Sequence, residues 1–222
     1  MGTDKILRRA REVLGIEKEA IEDVSQNLND SFKEAVEHIY SCQGKVVVTG
    51  MGKAGIVGRK IAATLASTGT PAVSLHPAEA VHGDVGIVTR NDIVLAISNS
   101  GETEEVLRLI PLIKKIGVEV ISMTGNLQSR LAKMSDIVLN VSVRREACPM
   151  GLVPTASTTA TLAVGDALAM VLLDKRGFQR EEYAVYHPGG ELGKKLGPKS
   201  RVRSRKSKAQ GRKSNVRRRV TE

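Results

Sequence analysis

The chain has 222 residues, 41% of them hydrophobic, with 34 Lys and Arg against 24 Asp and Glu, which is enough apolar content for a substantial core and too much for a disordered chain. No apolar run stands out at the roughly 20 residues of a membrane span, and no charged segment followed by an apolar one opens the chain, so a cytoplasmic protein away from the membrane is expected. Two cysteines, Cys42 and Cys148, exclude a disulfide framework, and an aromatic content of 2% with no Trp argues against base-stacking RNA modules.

The net charge of +10 suggests a nucleic-acid partner until it is located. Residues 198–222 hold 11 Lys and Arg and one acid, Glu222, and so carry the whole excess. Residues 1–197 hold 23 of each sign and are formally neutral. The expected organisation is therefore a folded domain over 1–197 and a basic tail over 198–222 with no apolar periodicity to build a core.

In chain order, amphipathic spacing from Ile6 through Leu14, Ile21, Val24 and Phe32 to Ile39 predicts one or two helices ending near Cys42. Lys45 to Thr49 (KVVVT) is a strand that breaks at Gly50, and a helical pattern resumes over Ile56 to Ala66. Pro71 to Leu75 is a second, weaker strand, and Asp92 to Ile97 (DIVLAI) a third, followed by the polar turn SNSGETEE and a helix through Val106, Leu109, Ile110 and Ile113. Val118 to Met123 and Ile137 to Val141 supply two more strands around a short helix at Ser129 to Ala132. Thr155 to Leu173 reads as a helix buried on most sides, and a last short helix runs from Glu181 to Tyr186, just before HPGG. Strands apolar on both faces that alternate with helices imply a five-stranded parallel sheet in a three-layer α/β/α domain.

Such sheets bind ligands beyond the carboxyl ends of their strands. The turn Gly50-Met51-Gly52-Lys53-Ala54-Gly55 matches G-x-G-x-x-G, yet the next strand ends Ser74-Leu75-His76 without the acidic residue that would hold a ribose, which counts against a dinucleotide. Lys53 stands at the wrong end of its helix for the macrodipole, so a role facing an anion competes with plain solvation. Ser98-Asn99-Ser100-Gly101-Glu102-Thr103 gathers hydroxyls around a glycine at a helix N-terminus, where a phosphate fits. An ordinary cap built from Ser100 with Thr103 or Glu104 fits equally well. Of Glu102, Glu104 and Glu105, one could face the reacting end of a ligand, since carboxylates beside a phosphate are costly. His76, His82 and His187 stand in polar or glycine-rich segments suited to proton transfer, whereas their spacing has no short metal-site regularity.

SNSGETEE resembles the phosphate-binding signature of the sugar isomerase (SIS) superfamily. GKVVVTGMGKAGIVGRKIAATLASTGTPA, HPAEAVHGDVGIV, EACPMGLVPTASTTATLAVGDALA and YHPGGELGKKL, all in order over about residues 4–197, resemble the arabinose 5-phosphate isomerases of Gram-negative bacteria. The resemblance implies aldose–ketose isomerisation between D-ribulose 5-phosphate and D-arabinose 5-phosphate, a step toward 3-deoxy-D-manno-octulosonate of lipopolysaccharide or capsule. It implies phosphate contacts from Ser98, Asn99, Ser100 and Thr103 with help from Ser67, Gly69 and Thr70. It further implies catalytic roles for Lys53, Glu105, Glu146 and His187 and a substrate contact at His82. No cofactor is implied, and His76 matches a position taken by inhibitory or incidental zinc. A homotetramer or dimer is implied. Family members usually continue into paired CBS domains, which the sequence here lacks. The alternative is a non-catalytic, phosphosugar-binding regulatory SIS module.

Overall fold

The computed structural model describes residues 3–187. The chain divides into two compact units, one up to Arg176 and the other from Gly177 onward. The tail expected over 198–222, and the boundary before it, lie outside the described residues.

Two helices open the first unit, α1 (Thr3–Gln26) and α2 (Asp30–Ser41). Between them Asn29 takes extended backbone angles and its side chain accepts a hydrogen bond from Ser31 N–H at 3.0 Å, which stops one helix and starts the next. The sheet follows as β1 (Val46–Gly50), β2 (Ala72–Leu75), β3 (Ile93–Ile97), β4 (Glu119–Thr124) and β5 (Ile137–Asn140). Its order is β2-β1-β3-β4-β5 with every pairing parallel, and Val46 aligns with both Ala72 and Ile93. β1 and β3 are buried along their whole length, as strands covered on both faces must be.

The connections are α3 (Gly52–Ser67), α4 (Pro77–Ala80) with a 3-10 turn at Asp84–Ile87, α5 (Glu104–Ile116), α6 (Arg130–Met134) and α7 (Ala156–Arg176). One face of the sheet packs Val46, Val48, Leu95 and Ile121 against Ile39, Ile61, Leu65 and Leu168 of the helices. The other packs Val47, Val94 and Val120 against Leu109, Ile110 and Leu131. These are the two outer layers that the alternation of elements predicts. The second unit contains α8 (Arg180–Tyr186), opened by a capping box in which Gln179 and Glu182 satisfy each other's backbone N–H groups.

Three departures from the sequence reading have local causes. α3 begins at Gly52, four residues before the apolar pattern resumes, because its first turn is glycine-rich and displays no periodicity. α4 and the 3-10 turn, inside HPAEAVHGDVGIV, are each 4 residues long, too short for a 3.6-residue period to register. α7 proves long and apolar enough to cross a membrane by length and composition, with half of that stretch buried inside the protein. It packs against α1, α2 and α3, so it is the core helix of the domain.

Candidate active site

The chain leaves β1 for the edge strand β2 and returns on the other side of β1 as β3, so the strand order reverses between β1 and β3. Their carboxyl ends therefore diverge into a crevice. A cavity of about 330 Å³ opens there. Its first wall comes from Met51, Lys53, Ala54 and Val57, after β1. The second is Ile97 to Ser100 and Thr103, after β3, and the third is Pro154, Ser157, Thr158 and Thr161 of α7 and the loop before it.

The first wall needs its glycines for packing. A Cβ on Gly55 would stand 2.4 Å from the Gly50 carbonyl oxygen, so only glycine lets α3 start against the strand it leaves. That accounts for the G-x-G-x-x-G spacing without a dinucleotide. It also sets Lys53, exposed in the first turn of α3, on the cavity rim.

The second wall shows how far the turn caps its own helix. Ser98 is buried, and its hydroxyl is hydrogen-bonded to that of Thr103 at 2.8 Å while accepting from Gly101 N–H at 3.1 Å. Ser100 accepts from Glu102 N–H at 3.2 Å. Thr103 is the N-cap residue of α5, yet its side chain makes no capping bond. The hydroxyls are thus spent on shaping the turn, and the N-terminus of α5 is left open for an anion. Gly101 has φ +67°, and a Cβ there would stand 2.0 Å from Ser129 Oγ, so the loop before α6 clamps the turn from behind.

The three glutamates of that turn separate. Arg130 donates through Nε to Glu102 at 2.6 Å and through a terminal nitrogen to Glu104 at 2.7 Å, and its backbone N–H donates to Glu102 at 2.9 Å. The side-chain bonds to Arg130, foremost, hold the Glu102 carboxyl below the usual carboxylate range. Glu105 takes no part in this pairing; it is half-buried in the first turn of α5 and outside the cavity lining.

Glu146, in the connection from β5 to α7, also stands outside the lining. Its carboxylate accepts from Thr155 N–H at 2.7 Å, the Thr155 hydroxyl at 3.0 Å and Ser157 N–H at 3.3 Å, and so occupies the N-terminus of α7. Burial alone would push its pKa up, but the donor groups of Ser157 and Thr155 together outweigh burial and lower it. Of the three helix N-termini that border the cavity, that of α7 is already filled by the Glu146 carboxylate, whereas those of α3 and α5 are capped by no carboxylate among the described residues.

Other expected site residues fall elsewhere. Ser67, Gly69 and Thr70 do not reach the phosphate turn within one chain. α3 runs its 16 residues back along the sheet, roughly 24 Å at 1.5 Å per residue, and delivers them to the amino ends of the strands. There Pro71 carbonyl bonds Val46 N–H, and the Thr70 hydroxyl accepts from Arg176 Nε at 3.0 Å. His76 stands at the N-cap position of α4, without a capping bond from its side chain, and lines a second cavity of about 490 Å³ with Arg59 and Asp84. His82 is exposed between α4 and the 3-10 turn and lines neither cavity. His187 belongs to the second unit, where it ends α8; its ring stacks on Tyr183 at 3.9 Å and its Nδ1 lies 3.0 Å from the Tyr183 carbonyl. Among the described residues no group of three His, Cys, Asp or Glu side chains could hold a metal ion.

Sequence reasoning missed the third wall. Ser157, Thr158 and Thr161 recur at helical spacing in TASTTAT, a hydroxyl stripe on an otherwise apolar helix, and that stripe was the available signal.

Comparison with known proteins agrees with this geometry. The SIS domain pattern matches residues 39–171. The chain is 53% identical over 190 residues to arabinose 5-phosphate isomerase KdsD of Pseudomonas aeruginosa, covering 86% of this chain and 58% of that protein. It is 55% identical over 186 residues to arabinose 5-phosphate isomerase KdsD of Escherichia coli K12, covering 84% and 57%. The chain thus spans under three-fifths of the length of these relatives. The solved structure of the Escherichia coli CFT073 protein c3406 in complex with arabinose 5-phosphate superposes with a TM-score of 0.83 at 42% identity, covering 85% of this chain and 100% of that one. A doubly wound sheet of order 2-1-3-4-5, a hydroxyl turn that leaves a helix N-terminus open for phosphate, and identity at this level over this span together make the chain a member of the SIS domain family.

Proposed function

We propose that the chain is an aldose–ketose isomerase that interconverts D-ribulose 5-phosphate and D-arabinose 5-phosphate. The observation that carries this reading is the cavity between β1 and β3, where the open N-terminus of α5 faces the same space as Lys53. The more than 50% identity to arabinose 5-phosphate isomerases supports the choice of pentose. A supply of pentose phosphate for 3-deoxy-D-manno-octulosonate synthesis in the cytoplasm follows from the same likeness.

The phosphate anchors on Ser98 to Thr103, remote from the reacting carbons, and its binding energy holds those carbons in place. Isomerisation removes a proton from the carbon next to the carbonyl, passes through an enediolate, and returns the proton to the neighbouring carbon. The Lys53 ammonium stabilises the oxyanion as it forms. Glu146, held ionised by its hydrogen bonds, has a lowered basicity that suits a fixed negative charge better than a proton shuttle. By the resemblance to the isomerase family, the proton is assigned to His187, whose imidazole is the side-chain type suited to transfer near neutral pH, acting in a neighbouring subunit's site of the oligomer that is part of this proposal. No redox cofactor is needed, and zinc at His76 is assigned no step. Assembly as a homotetramer or dimer is part of the proposal, supported by exposed apolar side chains on α1 (Ile6, Leu7 and Leu14) and in the loop before α7 (Met150 and Leu152).

The test is exchange of solvent deuterium into both pentose phosphates, followed by magnetic resonance, with glucosamine 6-phosphate and fructose 6-phosphate as controls. Interconversion of the pentose pair by the chelator-treated protein is the expected result. Absence of exchange would overturn the assignment.

A further inference from the structure

Ser157 offers a hydroxyl that the fold itself does not use. It is the second residue of α7, 1% exposed, and its Oγ has no hydrogen-bond partner. A buried hydroxyl in that state is costly unless something else satisfies it. The hydroxyl stands close enough to the Glu146 carboxylate to favour its ionised form as a weak donor, yet the pair does not meet in full hydrogen-bonding geometry, and the facing carboxylate oxygen already accepts from three other donors. The hydroxyls beside it on the cavity wall are committed, Thr158 donating to the Thr155 carbonyl and Thr161 to the Ser157 carbonyl, both at 2.8 Å. Two other buried hydroxyls among the described residues lack partners, those of Thr49 and Ser122, and both belong to sheet strands and do not line this cavity. Among the described residues, Ser157 alone combines an unpartnered O–H, near-complete burial and a place in the cavity wall across from the phosphate turn.

We infer that Ser157 is a further substrate-binding residue, whose hydroxyl donates to a carbonyl or hydroxyl oxygen of the sugar chain while the phosphate sits on Ser98 to Thr103. The inference rests on the phosphosugar reading above and adds to it the group that meets the sugar end. A serine side chain has three staggered wells, so its O–H turns toward the oxygen that the ligand brings. The adjacent Glu146 carboxylate accepts the Ser157 backbone N–H at 3.3 Å and thereby fixes where the hydroxyl is carried. The contact specifies polyhydroxylated phosphates over bare phosphate, because inorganic phosphate spans only the turn.

The test is calorimetric titration of the full chain and of Ser157→Ala with arabinose 5-phosphate and, separately, with inorganic phosphate. The expected result is about a 10-fold loss of arabinose 5-phosphate affinity in the variant, the scale of one lost hydrogen bond. Phosphate affinity stays unchanged, and the melting temperature is equal to or above that of the parent, since an unsatisfied hydroxyl has been removed. Arabinose 5-phosphate affinity within twofold of the parent, or a matching loss for both ligands, overturns the inference. Should Ser157→Ala not fold, Ser157→Cys, a weaker donor of similar size, is read by the same criteria. Deuterium exchange by the parent is measured alongside. A parent that binds arabinose 5-phosphate without exchanging its protons defeats the isomerase reading, and the affinity ratio still decides Ser157.

Discussion

Ser98 illustrates how a single side chain is used twice. Its hydroxyl ties the start of the turn to Thr103 and receives Gly101 N–H, so it shapes the backbone and, in the proposed function, holds the turn in the form that meets the phosphate. Ser98→Ala is therefore expected to weaken inorganic phosphate binding by roughly 10- to 100-fold, the range for hydrogen bonds to charged groups, with the melting temperature falling only slightly; phosphate inhibition and a thermal scan give both numbers. Lys53 behaves differently. It stands exposed on the rim, so Lys53→Met leaves the fold intact and lowers kcat by about 100- to 1000-fold, the scale of one lost oxyanion donor, with phosphate affinity changed far less. Single-turnover assays at saturating ribulose 5-phosphate would measure this. Lys53 and the turn from Ser98 to Thr103 could be placed at helix N-termini from sequence because each directly follows an apolar strand run, and the structure brings both to one cavity. The structure places Ser67, Gly69 and Thr70, which the family resemblance implies as phosphate contacts, at the other end of the sheet within one chain; that position is set by the length and direction of α3.

At the scale of elements, α7 depends on a side chain from the connection before it. Glu146 caps its N-terminus, and its lowered pKa fixes the sign of a pH effect. A carboxyl whose folded pKa lies below its unfolded value contributes stability that is present above the unfolded pKa, near 4.5 for an ordinary Glu, and lost as pH falls through the folded one. Glu146→Gln is expected to cost about 1 kcal/mol at neutral pH, as lost caps do, and to flatten the acid limb of the stability curve, as read by urea unfolding between neutral and acidic pH. Asp92 is a second such group. It is nearly fully buried and accepts from Lys45 N–H at 2.9 Å, from the Lys45 ammonium at 2.7 Å and from Thr89 N–H at 2.8 Å. Asp92→Ala would leave a partly buried lysine nitrogen and two backbone N–H groups short of their partner and is expected to destabilise by about 3 kcal/mol, again by urea titration. All five strands could be read from short apolar runs, while the role of Glu146 could not. A carboxylate ten residues before a helix carries no sequence mark of a cap, because the chain must fold back through a loop to bring it there.

For the whole molecule, charge arithmetic and structure lead to one expectation. Residues 1–197 balance 23 charges of each sign, and the cavity belongs to the unit that ends at Arg176. A chain shortened after residue 197 is expected to keep the parent's turnover and to lose the salt-dependent binding to polyanions that 11 clustered cations confer; steady-state kinetics and heparin elution compare the two. The layered architecture was legible because strands buried on both faces have few other ways to be covered. The cavity's third wall was hidden because it depends on α7 returning across the sheet, a long-range event that local pattern does not encode.

That third wall gives the ligand a mechanical role. Residues 51–57, 97–103 and 154–161 all contribute to the cavity wall, so a phosphosugar bound there, as proposed, would fasten together three segments far apart in the chain, as a non-covalent staple does. Unfolding any one of the three releases it. Ligand at 100 times its dissociation constant therefore adds about 2.7 kcal/mol to the stability of the whole domain, and that gain protects backbone amides at the centre of β1 and β3 from hydrogen exchange as strongly as those at the cavity itself.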